Sequence, residues 1–254
     1  AQRPGASNLP RPCDTASVEY MNAMFTDTHA FNRPLRFGTT RVEAMHSMFA
    51  ASAAFSQSIS FDSSPTTNMG YMLANVVFNL PVSLDTSSVT SMSNMFEFAA
   101  DFNHALTFDT RSVGDMYSMF ASATYFNQPL AFDTRSVTDM GYMISSNTFF
   151  DQTLAFDTSS VGDMRSMFDL AISFNKPLLF DTSSVTAMHW TFHNTNAFDR
   201  PLSAFDTASV TGMMAMFGRT GAYRHPVEFD TGSVIYIGDF LYSADVFNQP
   251  MSLD

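Results

Sequence analysis

Apolar residues recur along this chain in fixed columns, and the columns repeat every 24 residues with one step of 23 and one of 25. Counting from an aspartate taken as position 0, position 4 is valine in nine of ten copies, from Val18 to Val234, with Thr66 the exception. Position 7 is methionine from Met21 to Met213 and then Ile237; position 10 is methionine in eight copies, and position 11 is mostly phenylalanine. Spacings of 4, 7, 10, 11 and 14 lie on one face of a helix with 3.6 residues per turn, which predicts a short amphipathic helix of about three turns in each repeat. Serine at position 3 stands where an N-cap belongs. Ser112, Ser136 and Ser160 each have an acid three residues on, Asp115, Asp139 and Asp163, in the manner of a capping box.

The second half of the repeat reads Phe-Asn-x-Pro-Leu-x-Phe, as in Phe126, Asn127, Pro129, Leu130 and Phe132, and position 17 is aromatic in all ten copies. Proline stops the helical pattern, and Leu-x-Phe alternates like a brief strand. Helix and strand together predict an α/β solenoid, a right-handed leucine-rich-repeat-like stack of about ten repeats, each with a short strand and a short helix.

The repeat is anchored by Asp-Thr-x-Ser-Val, with Asp at 14, 85, 109, 133, 157, 181, 206 and 230, a degenerate copy at Asp62, and Gly38 in place of the acid in the second copy. Residues 1–12, rich in Pro, Gly, Ser and Asn, read as a flexible lead-in, and 13–254 as one repeat domain with no internal linker. The chain begins at Ala1, as a processed form would. Leu253 and Asp254 start an eleventh copy, which predicts either a continuation with a capping segment or an end that meets a partner.

Composition narrows the function classes. With 24 acidic against 12 basic residues, a net charge of −12, the chain is a poor partner for nucleic acid or anionic lipid. No apolar run approaches the roughly 18–20 residues of a membrane helix, so no direct membrane insertion is expected. A single cysteine, Cys13, excludes an internal disulfide framework.

The consensus Phe-Asn-Gln-Pro-Leu-x-Phe-Asp-Thr-x-Ser-Val-Thr-Asp-Met-x-x-Met-Phe, best seen from Phe126 to Met143, resembles the BspA-like leucine-rich-repeat surface proteins. The resemblance spans Cys13 to Asp254. It implies an extracellular or cell-surface location and adhesion or recognition of a protein or glycan, and it carries over no catalytic residue.

Candidate chemistry is sparse. Seventeen of nineteen methionines occupy positions 7 and 10; Met-x-x-Met suits a soft metal, but a column shared with Val and Phe reads as core. The anchor aspartates lie one repeat apart and repel unless something offsets them. Hydrogen bonds from each following Thr-x-Ser turn would do so, and so would calcium bridging Asp109, Asp133 and Asp157; no other cofactor is expected. Asparagine at position 18 predicts a buried ladder to the backbone of the adjacent repeat. Threonine at position 1 forms a rank of the kind that presents an ice-binding face, yet each Thr adjoins a charged Asp, and a hydrogen-bonding role in the turn fits better. His189 and His193, four apart, would share a helix face, without a third metal ligand.

Specificity is expected in the variable polar columns: Arg111 and Arg135 at position 2, and Gln128, Gln152, Lys176 and Arg200 at position 19. No nucleophile with a base, no phosphate loop and no Cys/His spacing marks an enzyme. The expected function is therefore recognition without catalysis, or a scaffold that binds neighbouring subunits of an assembly through its ends.

Overall fold

The computed structural model describes residues 14–254; the expected lead-in at 1–12 and Cys13 lie outside the described residues. The repeats stack, each hydrogen-bonded to the next, but the expected α/β architecture does not hold. The described residues contain no α-helix, and regular strand is confined to β1 (Val227–Phe229) and β2 (Met251–Leu253), a parallel pair with Val227 opposite Met251. Neither the helix per repeat nor the leucine-rich-repeat-like architecture of strand and helix survives.

In place of the helix, positions 7 to 14 form a ribbon of overlapping β-turns. Met119, Ala121 and Ala123 donate their N–H groups three residues back, to Met116, Ser118 and Phe120. The alternate donors leave the repeat: Met116, Ser118, Phe120 and Ser122 donate to the carbonyls of Asp139, Gly141, Met143 and Ser145 in the next repeat, at 2.8–3.1 Å. A helix needs those N–H groups for its own i→i−4 bonds. Near-identical neighbours in register offer an equivalent acceptor without any change of residue, so the stack satisfies backbone groups that a helix would satisfy internally.

The ribbon turns through a left-handed residue at positions 9 and 13 of every repeat, twenty in all, with φ between 51° and 60° and none of them glycine. Eleven of the twenty are Ser, Asn or Asp, short polar side chains of which Asn and Asp tolerate this region best. Each repeat enters the ribbon through position 6, where a parallel bridge runs unbroken from Tyr20 through Asp115, Asp139 and Asp163 to Tyr236. The supposed capping-box acids act here, Asp115 and Asp139 accepting the N–H groups of Tyr117 and Gly141 two residues on.

The apolar columns point inward as expected. Val113, Met116, Met119, Phe120 and Phe126 are fully buried, as are their equivalents in neighbouring repeats. The position-17 rings stack along the axis at 5.9–6.4 Å from Phe78 to Phe247, and within a repeat Phe120 lies 4.3 Å from Phe126. The position-7 and position-10 methionines of the middle repeats, such as Met116 and Met119, are buried in the same core, a packing role.

One ring in this column is a tyrosine. Tyr223 is wholly buried, its hydroxyl has no hydrogen-bond partner among the described residues, and desolvation pushes its pKa upward. Burying an unpaired hydroxyl costs about 1–3 kcal/mol. Tyr223→Phe restores the residue found at this position in the other repeats and is expected to stabilise the fold by about 1 kcal/mol, read as a higher urea midpoint with unchanged slope. A lower midpoint would show that the hydroxyl is satisfied.

Candidate functional site

The candidate cation ladder lies in the anchor turns. Each anchor aspartate accepts the N–H of the residue two positions on, at 2.9–3.3 Å, from Asp14 to Asp230, which is an Asx turn. The side chain at position 2 completes the cradle. Ser159 donates its hydroxyl to Asp157, while the guanidinium groups of Arg111 and Arg135 fold back onto Asp109 and Asp133. These hydrogen bonds hold the carboxyls of Asp109, Asp133 and Asp157 below their ordinary range; Asp133, with Arg135 donating to it, falls to about 2. Among the described residues no three His, Cys, Asp or Glu side chains gather in a way that would hold a metal ion.

The threonine rank is buried, Thr110, Thr134 and Thr158 each being about 1% exposed. Its hydroxyls donate to the carbonyl of the next anchor, Thr110 to Asp133 at 2.9 Å and Thr134 to Asp157 at 2.8 Å. The rank thus ties repeats together rather than closing its own turn, and it presents no face to solvent.

Positions 18 and 19 form a second tie, although its asparagines are exposed or half-exposed rather than buried as expected. The side-chain oxygen of Asn103 accepts the N–H of Asn127, and Asn127 accepts that of Asp151, both at 3.0 Å. Gln128 and Gln152 reach back to the same oxygens at 2.9 Å. Where position 18 is an acid, the following repeat supplies a cation: Lys176 lies 2.6 Å from Asp151, and Arg224 and His225 approach Asp199. Arg200 donates to the backbone carbonyl of Asn175. All four expected position-19 residues are therefore engaged between repeats, on a half-exposed edge. His193 pairs with Asp169 at 2.8 Å, and His189 lies apart from that pair, accepting the N–H of Met214.

What these polar columns do not reveal is an apolar stripe on the corner at positions 13 to 16. Repeats three to seven each expose at least one large apolar side chain there: Val77, Phe98, Tyr125, Phe149, then Leu170 with Ile172, all between 38% and 60% exposed. Tyr125 and Phe149 stack face to face at 5.2 Å and 10°. The positions compensate. Where position 13 is large, as at Phe98 and Leu170, position 16 is Asp101 or Ser173; where position 16 is aromatic, position 13 is Ser122 or Ser146. The flanking repeats carry Ala54, Asn194 and Ala197 instead. Glu97 and Asp101 border Phe98, so the stripe has acidic neighbours.

The sequence matches the family described as "Mycoplasma protein of unknown function, DUF285", over residues 11–83, 78–177 and 150–253. The chain belongs to this family. Its three matched segments overlap and together run almost the length of the DUF285 chain, as a repeat family requires. No curated protein and no solved structure matches it.

Proposed function

We propose that this DUF285 chain is a non-catalytic recognition module, extracellular or cell-surface, that binds a protein partner along the stripe from Val77 to Ile172. The observation that carries the reading is the stripe itself. Isolated exposed apolar residues are ordinary, but one per repeat over five consecutive repeats, with only small or polar residues at the corner beyond both ends, is a bounded patch of the kind used for protein contact. The likeness of the Phe-Asn-Gln-Pro-Leu-x-Phe repeat to BspA-like surface proteins supports both the location and the recognition role. A glycan is the less favoured ligand, because the stack of Tyr125 on Phe149 commits one face of each ring that a sugar would otherwise cover.

The repeat spacing also suits a definite partner shape. Apolar side chains on one helix face recur every 3.5 residues, a rise of about 5.2 Å, which matches the 5.2 Å between the Tyr125 and Phe149 rings. The net charge of −12 and the bordering acids favour a basic helix.

The test is a 16-residue peptide with leucine at the heptad a and d positions and lysine elsewhere, titrated against the wild-type chain and Tyr125→Ser/Phe149→Ser. Wild type is expected to bind at least tenfold more tightly than the double variant and than it binds a scrambled peptide of the same composition. Equal binding in either comparison would mean charge attraction alone, and the stripe would lose its role.

A further inference from the structure

The eighth repeat departs from the consensus on a different face. Position 10 there is Thr191 rather than methionine, position 9 is Trp190, the sole tryptophan, and position 8 is His189. Trp190 takes one of the left-handed positions, φ 55°. The next two repeats contribute Met214 and Tyr236, and these four side chains wall an open groove of about 310 Å³ with almost no polar surface.

The ring geometry differs from the rest of the molecule. In the core, most aromatic neighbours are near-parallel stacks, but the His189 ring is tilted by 46° to Trp190 and 52° to Tyr236, with centroids 5.7 Å and 6.5 Å away. Successive tilts of this size curve a wall around a space instead of filling it. Two local features hold His189 in place. Its Nδ1 accepts the Met214 N–H at 3.2 Å, which leaves the ring proton on Nε2. Gly212 leaves room beneath it, since a Cβ at that position would fall on the imidazole edge. Burial, aided by the nearby Arg165 charge, also lowers the His189 pKa, so the imidazole is neutral near pH 7. Arg165 is itself matched by Asp163.

We infer that this groove binds a small soluble quaternary ammonium compound. Aromatic faces attract cations through their quadrupoles. A nearly apolar lining offers nothing to pair the N–H donors of a primary ammonium or the hydroxyls of a sugar, and leaving those groups unpaired is costly. A trimethylammonium group has no such donors. The excess of acidic over basic residues supplies a field that favours a cation over a neutral group of the same shape. This inference rests on other residues than the stripe and stands or falls independently of it.

Because Trp190 is the sole tryptophan, its fluorescence reports on the groove directly. Choline chloride and tetramethylammonium chloride, titrated at constant ionic strength, are expected to give a saturable change with a half-point on the order of 1 mM. The neutral isostere 3,3-dimethylbutan-1-ol is expected to act at least tenfold more weakly. Tyr236→Ala, a change at an exposed ring that retains the reporter, is expected to weaken choline binding about fivefold. An equal response to the neutral alcohol would reduce the groove to an apolar cleft and overturn the inference, as would no saturable response to either cation or unchanged affinity in Tyr236→Ala. Binding to phosphatidylcholine vesicles without any response to free choline would overturn it in favour of a lipid surface.

Discussion

Truncating Phe126 to alanine is expected to cost about 3–5 kcal/mol, the range found when a fully buried aromatic side chain is removed and its site cannot collapse. Phe126 lies mid-stack, with Phe102 and Phe150 on either side at 5.9 Å and 6.3 Å and Phe120 at 4.3 Å within its own repeat. No loop can move in to fill the space, because each repeat is pinned to its neighbours by the ribbon rungs, the threonine hydroxyls and the asparagine ladder. Cooperativity is expected to suffer as well as stability. In a repeat array each unit contacts only its neighbours, so a weak joint in the fifth of ten repeats separates two halves that unfold on their own. Urea unfolding followed by circular dichroism should change from one transition to two. A single transition displaced by less than about 1 kcal/mol would mean that the ring ladder contributes little beyond filling space.

The left-handed positions give the second large effect, and here the sign of a gentler substitution matters. Ser122 has φ 58° and donates its N–H to Ser145 at 2.8 Å. Proline fixes φ near −65° and has no N–H, so Ser122→Pro removes a rung and forbids the turn, a loss of about 3 kcal/mol or more. Ser122→Gly is expected to stabilise instead. Holding an L-residue in the left-handed region costs about 1–2 kcal/mol, and the added freedom of glycine in the unfolded chain returns only about 0.5–1. In a helix the same glycine would destabilise by up to about 1 kcal/mol. Thermal melts of the two variants therefore distinguish the turn ribbon from a helix: glycine raising the midpoint fits the ribbon, and glycine lowering it contradicts the ribbon.

That contrast also explains which parts of the structure were legible in the sequence. The 24-residue period, the inward columns and the asparagine ladder follow from residue type alone, since burial and backbone pairing demand them wherever the chain turns. The helix did not follow, because positions 4, 7, 10, 11 and 14 face inward in a ribbon of turns as readily as in a helix. The distinguishing signal was Ser, Asn and Asp recurring at positions 9 and 13, as at Asn75, Asn94 and Ser166, and it was masked by the absence of glycine there. The strand was over-read for a different reason. Alternation in Leu-x-Phe decides which side chains face inward but not whether the backbone pairs, and these positions pair regularly only at β1 and β2, where they read Val-Glu-Phe and Met-Ser-Leu. Among the candidate binding residues, Gln128, Gln152 and Lys176 are polar and variable because each is matched to position 18 of the preceding repeat: Asn127 takes glutamine, and Asp151 takes lysine. The stripe escaped notice because it alternates between two columns and is regular in neither.

The ribbon rungs have an electrical consequence. The N–H of position 7 and the carbonyl of position 6 belong to one peptide group, and the same holds for positions 9 and 8, 11 and 10, and 13 and 12. Four peptide groups per repeat therefore point the same way along the stack, opposed by the reversed link at position 5, such as Thr138 to Gly114, and in some repeats by one at position 16, such as Tyr125 to Ala100. Each carries about 3.5 D. Strung head to tail through successive repeats, they polarise the whole array along its axis, positive toward the later repeats and negative toward the earlier ones. The molecule is thus a permanent dipole that turns to align in an electric field, and it approaches any charged surface with one end preferred.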